Sequence, residues 1–340
     1  MSIKKLQPQA LAKWVGGILQ KQKVQGIQAK GDRFAFAPLA RAEDLRLDYD
    51  VALTAPKEFF QPQREVLLKF RGEAYESELQ NEPFVLFGVH PYDMVAILQM
   101  DAVFSSGNYD VHYMDRRRQA TIVVCDAQNA SPNVFAGCMG TATLDTGYDV
   151  LVTKVDGEYV VESKSEKGEA LVKGLAGESD ADAQTLKMRD VVREHSRKLL
   201  RRHELRVKPQ DLPALLEQSY DHPVWEEKAR KCFSCGSCNL VCPTCYCFNV
   251  RDDVNWDLKS GERVRVWDGC MLAEFAKVAG GHNFRKKKAE RYRHRYYRKG
   301  KYLWDLQKQI ACVGCGRCIS ACVTKIANPV EIYNRLAEGK

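Results

Sequence analysis

The chain has 340 residues, 45% hydrophobic and 28% charged, with a net charge of +8, values ordinary for a globular protein large enough for two domains. No run of about eighteen apolar residues occurs, so a helical membrane span is not expected, and the N-terminus lacks the apolar core and cleavage site of a secretory signal. A cytoplasmic location is therefore expected, and in a reducing compartment the thirteen cysteines point to metal or catalysis rather than to disulfides.

In chain order, residues 1–178 read as a mixed α/β domain. Helices are expected at 10–22, 65–70 and 94–101, and strands at 34–36, 84–88, 121–125, 150–155 and 159–162. Asp156 and Gly157, between the last two strands, carry the signature of a type I′ hairpin. Residues 166–176 read as a helix ended by Gly177. Residues 179–222 form a helical connector. Its helix at 182–202, capped by Asp180 or Asp182, has an apolar stripe of Leu186, Val191, Val192, Leu199 and Leu200. A segment with Pro209 and Pro213 then leads into residues 223–340, which hold eleven of the thirteen cysteines. The expected fold class is α+β: a mixed α/β N-terminal domain plus a mostly helical C-terminal domain with a two-[4Fe-4S] ferredoxin-like core.

Cys232, Cys235, Cys238 and Cys242 are spaced C-x2-C-x2-C-x3-C and are followed by Pro243. Cys312, Cys315, Cys318 and Cys322 repeat the spacing, with Val323 in place of the proline. This is the bacterial ferredoxin run, in which three thiolates on a tight loop reach three corners of one cubane and the fourth ligates the other cluster. Crossed ligation is the expectation: Cys232, Cys235 and Cys238 with Cys322, and Cys312, Cys315 and Cys318 with Cys242. Ser234, Gly236, Ser237, Gly314 and Gly316 are small enough to let backbone N–H groups turn toward the sulfides, which helps to set the potential. A pair of zinc sites is the competing reading, but a triple run occurring twice favours iron–sulfur. These eight cysteines are the expected metal ligands and two [4Fe-4S] clusters the expected cofactors. No catalytic residue and no other cofactor site is expected.

Between the motifs lie 69 residues that must fold so that the two runs meet. Cys245, Cys247 and Cys270 fall in this insertion. They read as buried thiols lining the cluster pocket, with a ligand role as the alternative. The insertion also holds a basic run at 285–301, with ten Lys or Arg against one Glu and with Tyr292, Tyr296 and Tyr297 among them. A docking surface for an acidic redox partner is the expectation; a nucleic-acid grip by phosphate contact and stacking is the alternative. No phosphate loop, no GxGxxG fingerprint after a strand and no HExxH pair accompanies it. The seven histidines are scattered, and Asp93 and Asp101 are weak evidence for acid/base work.

Several stretches recur in a known arrangement: PKEFFQPQRE from Pro56, FGVHPYDMVAI from Phe87, MGTATLDTGYDV from Met139, the CFSCGSCNLVCPTCYCF block, RVWDGC ending at Cys270, GGHNFR from Gly280 and CVGCGRC from Cys312. In order and spacing the chain resembles the family that joins the iron–sulfur subunits of anaerobic sulfite reductases to the beta subunits of cytosolic sulfhydrogenases. The resemblance implies a non-catalytic electron-transfer subunit. Its implied partners are a catalytic redox subunit of hydrogenase, sulfite reductase or heterodisulfide reductase type and a flavin/NAD(P)H-binding subunit. The eight motif cysteines match the family's cluster ligands. Relatives tend to show N-terminal cysteines near the positions of Tyr92, Val134 and Ala136, which here leave only Cys125 and Cys138 in that half. The N-terminal domain is therefore expected to serve as a docking platform.

Overall fold

The computed structural model describes residues 2–79, 82–175 and 177–339. Among these, eleven strands form two sheets. They are β1 (Ile3–Leu6), β2 (Lys23–Lys30), β3 (Arg33–Pro38), β4 (Arg64–Arg71), β5 (Ala74–Ser77), β6 (Phe84–Val89), β7 (Ala120–Cys125), β8 (Val150–Val155), β9 (Glu158–Ser163), β10 (Phe248–Val254) and β11 (Ser260–Trp267).

The larger sheet runs β1-β9-β8-β7-β6-β2-β3. Its centre, β2, β6, β7 and β8, is parallel, and its flanks are antiparallel. Parallel strands are covered on both faces, so they read as continuous apolar runs. Val85, Leu86, Phe87, Ile122, Val123, Val124, Val150 and Leu151 are all fully buried. The covering helices include Pro8–Leu19 and Pro91–Ser105, each opened by a proline that needs no N–H partner in the first turn. The β8–β9 turn has Asp156 at φ 46° and Gly157 at φ 84°, both left-handed, as a type I′ turn requires. Asp182 caps the helix Ala183–Leu199 by accepting from the Thr185 N–H. The helix expected at 166–176 ends at Val172 and tightens into a 3-10 turn, Lys173–Leu175; Ala176 lies outside the described residues.

The expected helix at 65–70 is a strand. β4 belongs to a second, antiparallel sheet, β10-β11-β4-β5, whose other hairpin comes from between the cysteine motifs. Glu65 stands opposite Arg265 in the ladder and, fully enclosed, pairs with both Arg116 and Arg265. Six residues cannot show which period applies, and the partner strand lies about two hundred residues away. The insertion is thus fastened to the N-terminal segment by a shared sheet.

A second core gathers short helices around Trp225, Tyr292, Tyr296, Tyr297 and Tyr333, all nearly inaccessible. Helix Lys288–Tyr297 runs through a π-helical turn, Arg298–Tyr302, into Leu303–Gln307. No helix among the described residues is long and apolar enough to cross a membrane.

Candidate iron–sulfur site

Each cysteine run forms a loop with two left-handed residues and then a short helix. Ser234 (φ 54°) and Gly236 (φ 73°) precede Ser237–Leu240, and Gly314 (φ 71°) and Gly316 (φ 77°) precede Arg317–Ala321. These two helices contact each other. The second loop has no room for side chains at its glycines: a Cβ on Gly316 would lie 2.2 Å from the Asn133 carbonyl oxygen, and one on Gly314 2.7 Å from the Ala136 Cα. Phe135 N–H donates to the Gly314 carbonyl at 2.8 Å and the Thr141 hydroxyl to that of Val313 at 2.7 Å, which seats the loop on the N-terminal half.

Two cavities open beside these loops. One is lined by Cys312, Cys315 and Cys318 together with Cys242. The other is lined by Cys232, Cys235 and Cys238 together with Cys322. Each therefore meets three thiols of one run and the fourth of the other. The donor set, four cysteines around a space rather than around a point, fits a cubane. The second cavity lies near the surface, where Phe233 is 70% and Val323 72% exposed; in the first, Cys315 and Cys318 are buried.

The basic run is not a solvated face. Arg291, Arg295 and Lys299 recur every four residues and are all buried. Arg291 donates to the Ser234 hydroxyl at 3.0 Å, Arg295 to the Cys238 carbonyl at 3.0 Å and Lys299 to the Thr244 hydroxyl at 2.7 Å. Arg295 and Lys299 border the Cys242 cavity. Burial works against the Lys299 ammonium, but Cys242 and Cys245 more than offset it and hold its pKa above the ordinary value. Tyr292, Tyr296 and Tyr297 are buried in the second core and are unavailable for base stacking, against the nucleic-acid alternative. Only Lys286, Lys287 and Lys288 keep an exposed basic patch. The sequence carried the signal for this face in its four-residue spacing, obscured by the overall density of charge.

The thiols differ in environment. Burial pushes Cys312 up to about 12, whereas the Ser237 hydroxyl lowers Cys235. A hydrogen bond from Cys245 holds Cys242 well below the usual thiol range. Cys245, Cys247 and Cys270 were expected to line the cluster pocket; Cys245 touches Cys242, but none of the three borders either cavity. Cys245 and Cys270 meet instead at the side-chain amide of Asn239, whose role no sequence signal disclosed.

In the N-terminal half, Cys125 is buried at the end of β7 and the Cys138 thiol donates to the His203 carbonyl at 3.1 Å, in different cores. Tyr92, Val134 and Ala136 lie together in an apolar cluster with Cys315. Asp93 and Asp101 have separate partners, Arg317 and Arg117, and form no acid/base pair.

Residues 231–326 match the family described as a 4Fe-4S dicluster domain. Over 321 residues the chain is 31% identical to sulfhydrogenase 2 subunit beta of Pyrococcus furiosus, an alignment covering 93% of each chain. The chain belongs to the iron–sulfur sulfhydrogenase beta-subunit family. As a member of that family it is an iron–sulfur electron-transfer subunit. The dicluster match brings [4Fe-4S] chemistry, rather than a zinc ribbon, to the region that holds the thiol-lined cavities.

Proposed function

We propose that this chain relays electrons through two [4Fe-4S] clusters, one held by Cys232, Cys235, Cys238 and Cys322 and the other by Cys312, Cys315, Cys318 and Cys242. The observation that carries this reading is the pair of cavities, each met by three thiols of one run and one of the other. When bound, each cubane takes up and releases one electron at a time. The chain's own residues fix the ligand loops and balance charge. The Ser234 N–H donates to the Cys232 sulfur at 3.3 Å, and Arg295 and Lys299 place buried cations beside anionic thiolate centres, favouring the reduced state.

In this reading the chain works in a cytoplasmic multi-subunit complex, between a catalytic redox module of hydrogenase, sulfite reductase or heterodisulfide reductase type and a flavin/NAD(P)H-binding subunit. The relative's name, subunit beta of a sulfhydrogenase, favours the hydrogenase. Residues 223–340 would be the cluster-bearing module and residues 1–178 its docking platform, joined by the connector 179–222. The test is iron and acid-labile sulfide per chain after anaerobic purification, with an EPR spectrum after dithionite. At least about eight of each, with spin-coupled cubane signals, supports the relay; zinc without labile sulfide overturns it.

A further inference from the structure

We propose that β10 is an edge for self-association: a second copy of this chain pairs with it antiparallel, joining two four-stranded sheets into one of eight strands across a two-fold axis. β10 (Phe248–Val254) ends the smaller sheet, and among the described residues β11 is its one neighbouring strand. All seven of its residues are exposed except Asp253, which is partly buried. A strand edge of this length carries a row of unpaired N–H and C=O groups, and chains that stay apart blunt such an edge with proline, lysine or a bulge. β10 contains neither proline nor lysine, and its ladder with β11 runs without a register shift.

In an antiparallel ladder every second residue bonds its partner strand, and the residues between turn their N–H and C=O groups the other way. The Asn255 N–H donates to the Ser260 carbonyl at 2.8 Å and the Asp268 N–H to the Cys247 carbonyl at 3.1 Å, so the odd-numbered residues of β10 bond to β11. Phe248, Val250, Asp252 and Val254 therefore present their backbone groups to the open edge.

The residues along that edge read nearly alike in both directions: Phe248, Asn249, Val250, Arg251, Asp252, Asp253, Val254, Asn255, Trp256. With Asp252 on the two-fold axis, Val250 opposes Val254 of the second copy through the outward backbone groups. Arg251 opposes Asp253 of the second copy, an opposite-charge pair made twice; within one chain the two side chains already attract each other, at 3.1 Å. Phe248 faces Trp256 of the second copy, and Trp256 is wholly exposed in the single chain. The one like-charged pair, Asp252 against itself, is neutralised on each side by Arg263, whose guanidinium grips that carboxylate at 2.7 and 2.8 Å. A shift of two residues in either direction sets Arg251 or Asp253 against itself and Asp252 against a valine. Charge and apolar pattern thus select one register and one occupant, another copy of the same strand.

Sedimentation velocity over a range of concentrations tests this on the anaerobically purified full chain and its Val250→Pro, Arg251→Asp and Asp253→Arg variants. The unaltered chain should show a monomer–dimer equilibrium. Val250→Pro removes an outward donor from each strand but no bond to β11, so it should weaken the dimer at least about tenfold while keeping the circular dichroism of the unaltered chain. Arg251→Asp and Asp253→Arg each set like charges opposite one another and should be monomeric alone. Mixed in equal amounts they should recover a dimer, since every such cross-strand site then joins a carboxylate to a guanidinium. Hydrogen exchange on the unaltered chain needs no variant to fold: the amides of Val250, Asp252 and Val254 should gain protection on dimerisation, and those of Arg251 and Asp253 should not. A chain that stays monomeric, a dimer that all three variants leave intact, a mixture that fails to associate, or unchanged exchange at the three outward amides would each overturn the proposal. A monomeric chain whose Val250→Pro variant fails to join a partner subunit would give the edge to a different protein and overturn the second-copy assignment.

Discussion

Arg317 and Asp93 form a buried, two-pronged ion pair, each prong 2.6 Å, with Arg317 3% exposed and Asp93 fully enclosed. Arg317 begins the short helix that carries Cys318, and Asp93 lies in the first turn of the helix after β6. Arg317 also donates to the Ala52 carbonyl at 2.9 Å. The second cysteine loop is therefore held to the large sheet by a charge pair enclosed by both halves of the chain. Removing one partner of such a pair leaves an uncompensated charge and costs about 3–5 kcal/mol. Asp93→Ala should lower stability by that order and reduce iron content. Urea unfolding of the purified variant measures the first effect and iron analysis the second.

Crossed ligation makes an asymmetric prediction. Cys322 borders the cavity of the first run and Cys242 that of the second. Cys322→Ser should perturb the cluster held by Cys232, Cys235 and Cys238, and Cys242→Ser the other. Double variants pairing Cys322→Ser with a serine at Cys232 or at Cys312 separate the cases. The first should damage one set of EPR signals and the second both; the reverse pattern would exclude crossing.

Arg295 stands between the two cysteine loops, with its guanidinium bonded to the Cys238 carbonyl and its side chain bordering the Cys242 cavity. Arg295→Gln should lower cluster potentials by on the order of tens of millivolts, because the added electron loses a nearby buried cation. Arg295→Lys should restore part of the shift. An EPR-monitored redox titration reads both.

Two histidines make the fold sensitive to acid. Burial, with Arg285 nearby, lowers His294 to about 4, and burial with Arg317 holds His90 well below its ordinary value. Both groups stay neutral when folded but take up protons when unfolded near pH 6.5. Their contribution is complete above that pH and is lost as pH falls toward the folded values. Denaturant midpoints should decline between about pH 6.5 and 4, and His294→Asn should flatten the decline.

Lys286, Lys287 and Lys288 form the part of the basic run that faces solvent. Changing all three to Glu should weaken assembly with the partner subunits, with the difference shrinking as salt is raised. Binding measured at low and high ionic strength tests this; equal affinities would remove the patch from the docking surface.

The sequence by itself determined the parts governed by local rules. The apolar runs of β6, β7 and β8 marked a buried sheet, Asp156 and Gly157 its hairpin, Asp180 or Asp182 a helix cap, and the cysteine spacing the cluster chemistry. Each depends on residues within a few positions of one another, where period, turn geometry and chelate reach leave few alternatives. Tertiary structure alone decided the rest. β4 became a strand because its partner comes from β11, and the basic run became a cavity wall because helix Lys288–Tyr297 lies between the two motif loops. Asn239 gathered Cys245 and Cys270, and Asp93 met Arg317, through contacts between distant segments. Charge and composition are the same whether a lysine faces water or a thiolate, so only the packing of those segments assigns its role.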